Sequence, residues 1–300
     1  MKLFGDDYGV RGAKRRGRPM LVVRRDDQGA GLFAHFATNL GWMRWAVEKK
    51  GYLPYVDMRR VPNAFNRGNV LSFNPWECFF RQCEDCSEGD FAEARRVYRT
   101  PTSGRVPDWP RCDPSLMQEG NPEMLVWRKF IHDHLQVAPE MEMMADCRWR
   151  ELFGADDRVL GCLLRGTDYV KMKPKWHPVQ PSVGQAIADA REMCSRFGLG
   201  KVLLATEDSS IADAFRMEFG ERLVMNQTLL PNYSSGFLMS SGAVGDGAAA
   251  LAMNRQYMVS VLLLAKCRFL LAGCASGSVG ALLLSPGYEQ CRIYNLGIYS

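Results

Sequence analysis

Residues 159–168 read Val-Leu-Gly-Cys-Leu-Leu-Arg-Gly-Thr-Asp: six apolar or small residues, then at once a cation, a glycine, a hydroxyl and a carboxylate. An uncharged run of that length suits a strand buried on both faces, as in a parallel sheet. The polar residues 165–168 then fall where open parallel sheets bind ligands, beyond the carboxyl ends of their strands. Downstream, Ser182 is a predicted helix cap, and Val183, Ala186, Ile187, Ala190, Met193, Cys194 and Phe197 share one helical face that Gly198 and Gly200 terminate. Strands are predicted at 201–206, 222–225, 269–272 and 292–294, with helices at 210–219 and 248–266 and a short one after the turn 276–278. A Ser/Gly-rich loop spans 226–247.

Upstream, 20–23 reads as a strand, 28–31 as a glycine-containing loop, and Phe33, Phe36, Ala37, Leu40, Met43 and Val47 as one face of a helix that stops at Gly51. A strand is predicted at 52–58. From 62 to 114, Pro, Gly, Asn and Cys interrupt every pattern except a short helix predicted at 91–98. Residues 124–135 look helical, and 137–157, which lack strand character, are the expected domain connection. Alternation of this kind predicts an α/β protein with Rossmann-like parallel sheets. The expected layout is a basic tail at 1–19 and two α/β domains, at 20–147 and 148–300.

Three hundred residues, 47% of them hydrophobic, are enough for a large core. The net charge of +5 owes much to Lys14, Arg15, Arg16 and Arg18. That cluster could touch nucleic acid, anionic lipid or a charged acceptor, but without interleaved aromatics it reads as a solvated tail, and no nucleic-acid partner is expected. The apolar run at 259–271 is interrupted by Lys266 and Arg268, so no transmembrane segment is predicted. The first 18 residues lack the apolar centre of a secretory signal, and a cytoplasmic location is expected. Ten scattered cysteines then read as free thiols. Cys83 and Cys86, with Cys78 and Cys112, have a spacing too irregular for a zinc site, so no metal is expected.

Three strand ends carry the candidate chemistry. Arg165, Gly166, Thr167 and Asp168 follow the first strand, Thr206, Glu207 and Asp208 the second, and Ser276, Gly277 and Ser278 the strand at 269–272. A guanidinium matches phosphate oxygens, and the amides of a serine-glycine turn opening a helix meet an anion at the positive end of the helix dipole. Glu207 or Asp208 could accept from a ribose hydroxyl or base edge. Taken singly, each has a plainer reading: an Arg165–Asp168 ion pair, helix-cap carboxylates, a serine cap. Their recurrence at one sheet end favours a nucleoside diphosphate.

The stretches GCLLRGTDYV, KVLLATEDSSIADAF and YMVSVLLLAKCRFLLAGCASGSVGALLL resemble, in order and spacing, the donor-site motifs of the α-1,6- and protein O-fucosyltransferase superfamily, which includes nodulation-factor fucosyltransferases. The resemblance covers about half of the chain and implies a GT-B-like fold, two Rossmann-like domains facing a central cleft. It further implies inverting transfer of fucose from GDP-fucose to a glycan, with no metal or other cofactor. Arg165 would match the diphosphate-binding arginine, Asp168 the acidic residue closing that motif, Glu207 and Asp208 the acidic pair, and Ser276 or Ser278 the phosphate-contacting serines. Two positions depart: Leu163 stands where the family often has histidine, and Ser260 where it has an acidic residue on the last long helix. A different nucleotide sugar, or a nucleotide-binding protein without turnover, therefore stays open. Arg165 and Asp27 are the expected catalytic pair, with Asp26 and Glu77 as other general-base candidates. Gln28, His35, Trp76 and Glu77 are the acceptor-side candidates.

Overall fold

The computed structural model describes residues 18–94, 96–226 and 245–300, with 92, 93, 167 and 168 described by backbone alone. Lys14, Arg15 and Arg16, most of the loop at 226–247, and the side chains of Thr167 and Asp168 lie outside the described residues. The chain forms two compact units, which interleave in sequence. The first comprises the described residues of Met1–Pro110, Lys129–Ala138 and Gly245–Ala252, and the second those of Arg111–Arg128, Pro139–Val244 and Met253–Ser300.

In the first unit, β1 (Met20–Val23) lies between β2 (Leu53–Val56) and β3 (Val97–Arg99) in a parallel three-stranded sheet, with Met20 in register with Leu53 and Val97. The four residues of β1 and the four of β2 are all buried, which is why both read as unbroken apolar runs. Helix α1 (Leu32–Arg44) links them and buries Leu32, Phe33, Phe36, Leu40 and Met43. Its continuation widens into a π-helical segment, Trp45–Lys50, which ends at Gly51 with φ +63°, a left-handed conformation that suits glycine. The helix expected at 91–98 stops early: α2 is Gly89–Glu93, and Val97 and Tyr98 form part of β3. Pairing of β3 along the open edge of β1 outweighs the local helical pattern.

Helices α3 (Pro122–His134) and α4 (Pro139–Phe153) follow. The segment expected as a connection is thus largely a fifteen-residue helix, and the division expected at 147/148 falls inside it. Its apolar face is thin, since Met141 and Ala145 are buried while Met143 and Met144 are exposed.

The second unit holds a five-stranded, all-parallel sheet in the order β6-β5-β4-β7-β8, with β4 Val159–Leu163, β5 Lys201–Ala205, β6 Leu223–Met225, β7 Phe269–Ala272 and β8 Gln290–Ile293. Between the strands run α5 (Thr167–Met172), α6 (Val183–Phe197), α7 (Ser209–Phe219), α8 (Gly247–Lys266) and α9 (Ser276–Leu284). The Ser182 hydroxyl caps α6 by accepting from the Gln185 amide at 3.2 Å, and Gly198 at φ +65° closes it. Ala186, Ala190, Met193, Phe215 and Phe219 from α6 and α7 pack with Leu160, Val202, Leu204 and Phe269 of the strands. By length and composition α8 could cross a membrane, the one such helix among the described residues. It packs instead as a core helix, with Met258, Val261, Leu263 and Leu264 buried, and a Cβ on Gly161 would come within 2.9 Å of Leu264 Cδ2.

Gly184 lies exposed in the first turn of α6 with open space around it. Gly184→Ala removes backbone freedom from the unfolded chain without a clash, so it should stabilise the protein by about 0.5 kcal/mol or slightly more. Denaturant titration checks this, and a destabilised variant would contradict the helix assignment.

Candidate functional site

The strand order of the second unit fixes where a ligand fits. Counted from β4, the sheet grows through β5 and β6 on one side, then through β7 and β8 on the other. The reversal falls between β4 and β7, and in such sheets the crevice lies at the carboxyl ends of those two strands. The loops leaving them carry Arg165 and Ser276. The Gly273 amide donates to the Leu163 carbonyl at 2.9 Å, which ties the two strand ends together.

Glu207, at the end of β5, organises the first loop. Its Oε1 accepts from the Gly166 amide at 2.9 Å and lies 3.6 Å from Arg165 Nε. The Arg165 side chain is 17% exposed, and its guanidinium lies over the Tyr169 ring, 5.6 Å from the centroid. A buried carboxylate held by an amide and a guanidinium is compensated, and it fixes the cation at the strand end. Asp208 Oδ1 accepts from the Ser210 amide at 2.9 Å and caps α7. A Cβ on Gly166 would collide with the Asp208 carboxylate, so these two loops meet only because position 166 is glycine. Thr206 is buried, and its hydroxyl accepts from the Asp208 amide. Glu207 and Asp208 thus brace the Arg165 loop and α7.

The second loop opens α9. Its N-cap, Ala275, has no side chain to offer the first-turn amides, and the Ser278 and Val279 amides bond back to the Ala275 carbonyl. Ser278 is buried and its hydroxyl donates to the Gly273 carbonyl at 2.6 Å, whereas Ser276 is partly exposed. Of the two serines, Ser276 is therefore the one placed to meet a ligand. An uncapped helix start with no acidic residue in its first turn favours an anion by dipole and by donors.

Two residues not among the candidates complete this region: Gln180, and Tyr257, which opens the third of the quoted stretches. Gln180 Nε2 donates to the Cys274 carbonyl at 2.9 Å and the Pro178 carbonyl at 3.2 Å, and its side chain packs on Gly273. Tyr257 of α8 brings its hydroxyl against Gly277, where a Cβ would overlap it, and Leu163 Cδ1 would lie 3.2 Å from that Cβ. Tyr257, not Ser260, is therefore the α8 residue beside the α9 turn. Ser260 is buried and donates to the Gln256 carbonyl. A tyrosine within an apolar helix, needing a partner for its hydroxyl, was the available signal. Leu163, where the resembling family often has histidine, is 1% exposed and packs as core.

The acceptor-side candidates all belong to the first unit. Asp27 Oδ1 accepts from the Ala30 amide at 3.1 Å and its other oxygen lies 3.5 Å from Arg25, so the carboxylate shapes the loop before α1. Gln28 and Asp26 are exposed. Trp76 is fully buried 4.7 Å from Phe80, a core residue. Glu77 Oε1 accepts from Gln82 at 3.0 Å and Tyr55 at 3.3 Å. His35 is buried near Phe65, and burial lowers its pKa to about 4 despite the opposing charge of Asp27. Among the described residues no group of three or more His, Cys, Asp or Glu side chains is placed to hold a metal. Cys86 donates to the Pro54 carbonyl, and Cys112 belongs to the second unit, 3.3 Å from Cys274.

No family model matches this chain, and no curated protein matches it in sequence. Solved structures do match. NodZ alpha-1,6-fucosyltransferase soaked with GDP-fucose has a TM-score of 0.54 at 15% identity, covering 93% of this chain and 95% of that one. Fucosyltransferase NodZ from Bradyrhizobium gives 0.50 at 15% identity, covering 95% and 96%. The apo form of POFUT1 gives 0.50 at 9% identity, covering 95% and 99%. The fold is that of these GT-B-type fucosyltransferases, α/β with two parallel sheets.

Gly166→Ala should displace Asp208 and the Arg165 loop together, lowering stability by about 1 kcal/mol or more as the α7 cap is lost. Chemical denaturation measures this, and an unchanged midpoint would refute the packing described. His35 yields a pH dependence. Because its folded pKa is about 4 and its unfolded value about 6.5, the unfolded chain binds the extra proton between those values. Stability is therefore complete above pH 6.5 and declines by on the order of 3 kcal/mol as pH falls toward 4. In His35→Gln that component should vanish, and matching pH profiles for variant and parent would rule it out.

Proposed function

We propose that the protein is a glycosyltransferase that moves a sugar, fucose in the leading reading, from a GDP-linked donor to a polysaccharide or oligosaccharide acceptor with inversion. The observation that carries this is the pairing of Arg165, fixed by Glu207, with the uncapped start of α9 at the sheet's switch point. Likeness of fold to GDP-fucose fucosyltransferases supports the class of reaction.

Breaking the bond between sugar and diphosphate builds negative charge on the departing group. Donors already aimed at that charge lower the barrier, because no reorganisation is needed as the charge appears. Arg165 supplies the cation, the Ser276 and Gly277 amides the neutral donors, and Tyr257 a hydroxyl beside them. Metal independence is part of the proposal, since the chain brings its own positive charge to the leaving group. Asp27 remains our general base, able to accept the acceptor hydroxyl's proton on the carboxylate oxygen not held by Ala30.

A second reading, a nucleotide-binding protein without turnover, is favoured by Leu163, a packed core residue where the family often has histidine. Calorimetry with GDP, GDP-fucose and UDP, followed by assay of donor hydrolysis, separates the two. Binding of GDP with hydrolysis of GDP-fucose is expected, and hydrolysis alone decides for the enzyme. Arg165→Ala should raise the barrier by about 3 to 4 kcal/mol, a loss of two to three orders of magnitude. Less than tenfold loss in a folded variant would sink the role given to Arg165.

A further inference from the structure

The segment after the Arg165 loop, Val170-Lys171-Met172-Lys173-Pro174-Lys175-Trp176, alternates apolar and basic side chains. Trp176 is 71% exposed, and Val170 and Met172 are exposed as well. A second stretch is hydrogen-bonded to it: the Trp176 amide donates to the Tyr299 carbonyl, the Tyr299 amide to the His177 carbonyl, and the Val179 amide to the Gly297 carbonyl, each at 2.9 Å. Leu296 and the 53% exposed Ile298 come with it. Five of the large apolar side chains left in water thus lie on two joined segments of the second unit. Lys171, Lys173 and Lys175 are exposed among them, and neither 169–182 nor 293–300 contains an acidic residue.

We propose that this strip docks the protein on an anionic lipid bilayer, with Trp176 and its aliphatic neighbours entering the headgroup boundary and the three lysines meeting lipid charge. Lysine is depleted at the centres of protein interfaces, which speaks against a protein partner. A nucleic acid would use the tryptophan and the lysines but leave Val170, Met172, Leu296 and Ile298 in water. A bilayer surface uses all of them: tryptophan favours the interface, aliphatic side chains enter the acyl boundary, and basic residues are drawn to anionic headgroups. The backbone presents the strip firmly. Lys173 and Trp176 hold φ of +44° and +67°, a region non-glycine residues disfavour, and the hydrogen bonds from 297–299 keep the loop there. The proposal does not rest on the donor-site reading, although an acceptor carried on lipid would be reached from such a surface.

Co-sedimentation of the full chain with phosphatidylcholine vesicles, with and without phosphatidylglycerol, tests it. Binding that needs the anionic lipid and weakens with salt is expected. Each lysine near such a surface contributes about fivefold, so Lys171→Gln, Lys173→Gln and Lys175→Gln combined should weaken partitioning about a hundredfold. Trp176→Ala should cost roughly tenfold or more. Thermal midpoints should hold in both variants, since the side chains are exposed. Lys14→Gln, Arg15→Gln and Arg16→Gln combined should leave the dependence on Trp176 in place. The proposal is overturned if the vesicles are not bound, or if tail substitutions abolish binding while strip substitutions do not. It also fails if the strip variants lose affinity for an RNA oligomer or for GDP while vesicle binding is unchanged.

Discussion

One buried carboxylate, Glu207, sets the geometry on which the site depends. A charge taken from water is costly unless it is paired and hydrogen-bonded, and Glu207 meets that need with the Gly166 amide and the Arg165 guanidinium. In return, the loop after β4 acquires a fixed shape and the arginine a fixed position at the strand end. Asp208, the next residue, caps α7 and presses against Gly166, so two adjacent residues of β5's exit loop define both the strand end beside them and the helix after it. Neither carboxylate needs to touch a ligand to matter. They hold the cation in place, which is the condition under which the electrostatic stabilisation proposed for Arg165 is effective.

Most of the second unit could be read from the chain because its signals are strong and mutually consistent. β4, β5 and β7 are buried on both faces and so are continuous in apolar character, and α6 has a hydroxyl cap, one apolar face and a left-handed glycine stop. In the first unit β1, α1, β2 and the stretch of α3 that belongs to it were legible. Strand β3 is a three-residue strand whose identity comes from pairing with β1, a tertiary fact with no local counterpart. α4 escaped notice for a different reason: two buried residues in four turns leave almost no periodic pattern to detect.

For the site, position relative to strand ends found Arg165, Glu207 and Ser276, since the crevice rule depends only on where apolar runs stop. It could not say which polar residues face the ligand and which face the protein. Glu207, Asp208 and Ser278 each bond to neighbouring protein groups, and Tyr257, which opens the third motif stretch, and Gln180, outside the motifs, converge on the same turn. That convergence depends on glycines at 273 and 277, whose missing side chains make room for two others. Sequence shows such glycines plainly but not the residues that fill the space beside them.

The parallel pairing of β4 with β7 also has a consequence in time. Leu163 finds its register partner Ala272 more than a hundred residues later, with two other strands and four α-helices of the described residues intervening. Loop closure over that distance makes the unit a slow folder compared with helical proteins of its size. During synthesis, β4 can pair with β5 early, yet its other edge stays uncovered until β7 emerges from the ribosome. For that interval the nascent protein carries an apolar strand edge open to other chains. The edge that will later carry the proposed anion site is, while the chain is incomplete, the one most in need of a chaperone.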